Sequence, residues 1–118
     1  MILKRSILYG EIYLVDASPH IGHEFYGKRP ALVVESNDHI QRSNLVTIMP
    51  LTSNMHNKLP EDIVITTNKV NNLIADSVIK VYNIHSYDYS RFIQRIGAVD
   101  KMVMEKVRGY LMRHFGLK

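Results

Sequence analysis

Two stretches decide how the fold is read: Ala31-Leu32-Val33-Val34 and Val46-Thr47-Ile48-Met49-Pro50-Leu51. Both are almost wholly apolar, Thr47 being the polar interruption. Short apolar runs bounded by turn-forming residues describe strands buried on both faces. Pro30 fits at a strand start, where its missing N–H costs no ladder bond, and Pro50 marks an irregularity near a strand end. Working outward, residues 11–16, 31–35, 45–50, 62–67 and 77–82 are rich in Val, Ile, Leu, Thr and Tyr, and segments with Gly, Pro, Asn or Ser separate them. This pattern predicts an antiparallel meander. Curling it into a small barrel hides the strand edges of so short a chain.

Beyond Asp88, a cap for a short helical turn, residues 92–99 form a further strand candidate that leads into a helix predicted over residues 101–115. Asp100 serves as its N-cap, Gly116 follows as the C′ residue, and Val103, Val107, Leu111 and His114 or Phe115 fall on one stripe. Such a stripe is core packing, so the helix should plug or flank the barrel. The fold class is therefore mainly β, with one C-terminal helix.

The 118 residues suit a single domain spanning positions 1–118, and a content of 46% hydrophobic and 22% charged residues is that of a globular protein. Absence of cysteine removes disulfides, thiolate zinc sites and thiol nucleophiles together, in keeping with a reducing cytosol. Residues 1–10 contain Lys4 and Arg5 but no apolar signal segment, and no run approaches a membrane span of about 20 apolar residues. The chain is read as cytoplasmic, without membrane contact. A formal net charge of +4 favours polyanionic partners, a weak prior that only a specific site can raise.

That site is sought in the connection of residues 17–29, longer than a hairpin needs. Residues 21–30 hold His23, Glu24, Lys28 and Arg29 with Gly22 and Gly27, which permit close backbone approach. Cleaving RNA through its own 2′-OH asks for a group that draws off the 2′ proton, positive charge for the phosphorane, and a donor for the departing 5′ oxygen. No metal is required. Arginine suits the charge role, since its planar fork grips two phosphate oxygens and stays protonated. The six histidines include no pair at metal-site spacing, and His23-Glu24 is not part of an H-E-x-x-H motif. The site is read as metal-free and without a cofactor.

Gly10-Glu11-Ile12-Tyr13-Leu14-Val15-Asp16, Gly22-His23-Glu24, Gly27-Lys28-Arg29-Pro30-Ala31-Leu32-Val33-Val34 and Pro50-Leu51-Thr52-Ser53 together resemble the MazF/PemK (Kid) toxin family. Asp76-Ser77-Val78-Ile79 and Arg95-Ile96-Gly97 extend the likeness over nearly the whole chain. The resemblance implies a homodimeric, SH3-like β-barrel endoribonuclease. It would cut single-stranded mRNA to leave 2′,3′-cyclic phosphate and 5′-hydroxyl ends, and a cognate antitoxin would neutralise it. It places the family's arginine and threonine on Arg29 and Thr52, its loop histidine on His23 and the following carboxylate on Glu24.

Departures matter as much. Where relatives often carry an acid then Gln, this chain has Tyr82-Asn83, and a phenol with a pKa of about 10 is a poor base near neutrality. Where a cation and a hydroxyl residue usually follow, it has His85-Ser86. The expected roles are Arg29 as phosphate clamp and proton donor, Thr52 as a hydroxyl on the scissile phosphate, and His23 or Glu24 as base, with His85 the second choice for proton transfer. Lys28, Ser53, Asn83, His85 and Ser86 are the RNA-binding candidates, Asn83 for a base edge and Ser53 for the adjacent phosphate.

Taken without the family pattern, His23-Glu24 is a loop salt bridge, Arg29 a strand cap and Thr52 a strand-end hydroxyl. Tyr87 and Tyr89 read as structural rather than as base-stacking platforms. Residues 53–60 are a polar surface loop whose place after Thr52 suggests an RNA-facing flap. A gyrase poison like CcdB is disfavoured because the chain has no Trp, while a catalytically decayed RNA- or antitoxin-binding module stays open through Tyr82.

Overall fold

The computed structural model describes residues 2–17 and 27–117. Within them, β1 (Glu11–Asp16), β2 (Lys28–Val33), β3 (Leu45–Thr52), β4 (Ile63–Ile65), β5 (Ser77–Ile79), β6 (His85–Asp88) and β7 (Phe92–Ala98) form one antiparallel sheet. Its order is β4-β5-β3-β2-β1-β7, with β6 also paired to β3. Two helices complete it, α1 (Asn37–Arg42) and α2 (Lys101–His114). None is long and apolar enough to cross a membrane.

The apolar runs do become the central strands. Ala31, Leu32 and Val33 are buried, as are Val46 and Ile48 to Leu51. Alternation sends Leu32, Met49 and Leu51 to one core, shared with Ile12, Ile79, Val81 and α2. Ala31, Val33, Val46 and Ile48 go to a second core on the other face, with Ile7, Tyr13, Val15, Ile40 and Phe92. Helix α2 contributes Met104, Val107 and Tyr110 as its buried residues, while Val103 and Leu111 are half-buried and Phe115 is exposed. The predicted stripe is thus rotated by about one position. Asp100 caps the helix as expected, accepting from the Val103 N–H at 2.9 Å.

Two differences from the sequence expectation, at Pro30 and at the end of β5, have physical causes, while Pro50 marks the irregularity expected of it. Pro30 is the third residue of β2, not its first, and it lies outside the β2–β3 ladder, whose outermost pair is Ala31 with Pro50. Pro50 sits where one edge of β3 passes from β6, paired along residues 45–48, to β5, paired at residues 51–52. Its carbonyl accepts from the Lys80 N–H at 2.9 Å on that edge, so the N–H it lacks falls at the handover. The strand expected over residues 77–82 stops at Ile79, because the chain turns with the Asn83 N–H bonded to the Lys80 carbonyl at 3.0 Å.

The expected barrel is a curled sheet whose end strands, β4 and β7, are not paired with each other. A loop covers the seam: the Ala98 N–H donates to the Val70 carbonyl and the Asn72 side chain to the Ile96 carbonyl, both at 3.1 Å. Gly97 permits this approach, since a Cβ there would stand 2.3 Å from the Asn71 carbonyl oxygen.

Candidate active site

The ends of β2 and β3 bring the central pair to one groove. Ala31 lies opposite Pro50 and Leu32 opposite Met49, and Arg29 and Thr52 each lie two residues beyond the outermost pair of that ladder. Arg29 is exposed and Thr52 half-buried, as befits strand ends that leave the core. Both line a groove of ≈ 660 Å³ with Ser53 at its rim.

The Thr52 hydroxyl is oriented. Its oxygen accepts from the Asn54 N–H at 3.1 Å, which leaves the hydroxyl proton to be donated elsewhere. On the other side of Arg29, a narrow crevice is lined by Arg29, Val15, Pro50, His85 and Tyr87. His85 opens β6 opposite Ile48, and its ring stacks on Tyr87 with centroids 5.9 Å apart and 21° between planes. Arg91 stands over Tyr87, 5.6 Å from its centroid. Tyr87 and Tyr89 pack against the second core, as their structural reading requires.

The remaining candidates are dispersed. Ser86 alternates to the face away from His85, where its hydroxyl pairs with that of Thr47 at 2.8 Å beside Glu35 and His39. Asn83 is half-buried in the turn before β6 and is not among the groove-lining residues. Lys28 is exposed at the start of β2, opposite Asp16. His23 and Glu24 lie outside the described residues. Tyr82, at the position where relatives often carry an acid, sets its ring edge-on to Tyr110 of α2, centroids 5.5 Å apart.

Sequence reasoning passed over Arg95 and Gln94 of β7, which line the same groove with Leu14, Asn72 and Leu73. Arg95 donates through Nε to Glu11 at 2.6 Å. Glu11 also accepts from the Leu8 N–H at 2.8 Å and from the Tyr13 hydroxyl at 3.1 Å. Burial, then the charge of Glu11, pushes the Tyr13 phenol up to about 12. The signal was present in Arg95-Ile96-Gly97, which entered the resemblance without a role.

The model for the PemK-like, MazF-like toxins of type II toxin–antitoxin systems matches residues 9–115. The chain belongs to this family. It is 32% identical over 108 residues to Endoribonuclease EndoA of Bacillus subtilis, which covers 91% of this chain and 89% of the relative. Endoribonuclease MazF of Staphylococcus saprophyticus is 28% identical over 109 residues, covering 92% and 90%. A crystal structure of MazF from Deinococcus radiodurans superposes with a TM-score of 0.80 at 25% identity, covering 94% of this chain and 97% of that one. Family membership places the chain among the endoribonuclease toxins and does not favour a non-catalytic module. The groove that holds Arg29 and Thr52 is thus the candidate active site of a PemK/MazF toxin.

Proposed function

We propose that the groove binds single-stranded mRNA and cuts it at a short sequence by attack of the substrate's own 2′-OH. A base takes the 2′ proton, the 2′ oxygen bonds to phosphorus, and the bond from phosphorus to the 5′ oxygen breaks as that oxygen receives a proton. The products are a 2′,3′-cyclic phosphate and a 5′-hydroxyl. The substrate brings its own nucleophile, so the reaction needs no metal.

One observation carries the reading: Arg29 of β2 and Thr52 of β3 line the same groove. Arg29 clamps the scissile phosphate and supplies charge where it develops. Thr52, with its oxygen already accepting from Asn54, donates to a phosphate oxygen, and Ser53 holds the next phosphate. His23 or Glu24 takes the 2′ proton, and His85, in the crevice beside Arg29, is the alternative. Lys28 and Asn83 extend contacts along the strand, whereas Ser86, on the opposite face, receives no role. The toxin–antitoxin family to which the chain belongs supports a cognate antitoxin as partner. The same reading includes a cytoplasmic homodimer.

The test is to incubate the protein with a long single-stranded RNA in EDTA and map the ends. Cuts at one short motif with cyclic-phosphate ends are expected. Arg29→Ala lowers the cleavage rate by roughly a hundredfold to a thousandfold while its circular dichroism is unchanged. Cleavage by that variant at the parental rate refutes the site.

A further inference from the structure

We infer that the buried Lys80–Asp62 pair is a positioning device for the loop of residues 53–62, steadying the end that enters the RNA groove at Ser53. The inference rests on the Arg29–Thr52 reading and assigns residues that reading leaves unused. Lys80 follows β5 directly, and its side chain is 8% exposed against 0% for Asp62. Its ammonium donates to Asp62 at 2.5 Å and to the Asn57 carbonyl at 2.7 Å. Asp62 in turn accepts from the Leu59 N–H at 2.9 Å and the Val81 N–H at 3.2 Å. One ion pair thereby gathers two backbone groups of the loop and one at the root of the turn that carries Asn83.

The loop needs such an anchor. Residues 53–60 are all exposed, so no burial of their side chains fixes them. What orders them is a relay of hydrogen bonds: Asn54 N–H to Thr52 Oγ1, His56 N–H to Asn54 Oδ1, Lys58 N–H to the Met55 carbonyl, and Asn57 and Leu59 to the buried pair. The relay begins on the hydroxyl proposed to touch the scissile phosphate and ends inside the protein. Buried ion pairs are often replaceable by packed hydrophobic residues, and here the loss is confined to the backbone groups the pair holds. An apolar pair cannot hold the Asn57 carbonyl, the Leu59 N–H or the buried Val81 N–H.

The test uses the full chain and two kinds of readout. In the Lys80→Met/Asp62→Leu variant, amide exchange across residues 53–61 accelerates by more than the fall in global stability that the orphaned Val81 N–H brings. KM for RNA rises roughly tenfold, the scale of two lost hydrogen bonds, with a smaller change in kcat and a relaxed cut-site preference. A Lys80→Gln/Asp62→Asn variant, which keeps a donor and an acceptor without charge, restores the parental KM. Should the apolar pair fail to fold, Leu59→Pro removes one tether from the surface and leaves Lys80 and Asp62 in place. Faster exchange at residues 54–58 with a raised KM is expected there too. Parental exchange and KM in a folded apolar variant, or in Leu59→Pro, overturns the inference. If Arg29→Ala cleaves as well as the parent, the site reading has failed instead, and the exchange data still report on the tether.

Discussion

Two ion pairs of the molecule are built in opposite ways. Lys80–Asp62, beneath the loop of residues 53–62, is sealed, with both side chains almost free of solvent and every bond spent on protein backbone or on each other. Arg95–Glu11 is half open: the Arg95 side chain is 51% exposed and lines the groove, while that of Glu11 is 12% exposed and shared with Leu8 and Tyr13. A sealed pair fixes one geometry, because neither partner can exchange its contact for water. A half-open pair keeps a cation oriented yet able to meet a phosphate. The same chemistry thus serves rigidity beneath the loop of residues 53–62 and adjustable charge in the groove.

The comparison breaks first at the sealed pair. Lys80→Met alone strands a buried carboxylate and should lower unfolding free energy by about 3–5 kcal/mol in a urea titration, whereas the apolar double variant regains part of that loss, the orphaned Val81 N–H keeping the rest. A smaller effect is expected on the open side. Glu11→Ala leaves the Leu8 N–H without its acceptor and the Tyr13 hydroxyl with the Ser6 carbonyl alone, and should cost about 1–3 kcal/mol by the same titration. Sensitivity of both variants to the same degree would mean that exposure does not distinguish the pairs.

The smallest effect is one of pH. Tyr13 has a folded-state pKa of about 12, raised above its ordinary 10.0. The stability linked to its neutral form is therefore complete below pH 10 and is lost as pH climbs toward 12. Tyr13→Phe should flatten that alkaline limb of the melting-temperature profile, and an unaltered limb would show that another group sets it.

Legibility in the sequence followed how strongly local chemistry constrained each element. The buried runs around Leu32 and Met49 and the Asp100-capped helix were readable because periodicity and capping are local. Strand β6 was not: His85-Ser86-Tyr87-Asp88 lacks an apolar alternation, and its pairing with β3 fixes it instead. Helix α1 was missed because it buries only Ile40, although Ser36 caps it by accepting from the His39 N–H at 3.2 Å. In the site, Arg29 and Thr52 were legible through the family pattern and line one groove. Arg95 and the Lys80–Asp62 pair were not, since contacts between residues 11 and 95, or 62 and 80, leave no mark at short range.

Pro50 carries a consequence for how the molecule opens. With no N–H to give, it divides one edge of β3 into a segment zipped to β6 and another zipped to β5. A fluctuation that lifts β5 from residues 51–52 breaks the Lys80 N–H bond to the Pro50 carbonyl, but Pro50 has no N–H through which to carry the opening into the β6 half. The strand therefore behaves as two short cooperative units in series, and the unit nearer Thr52 can loosen and reclose on its own.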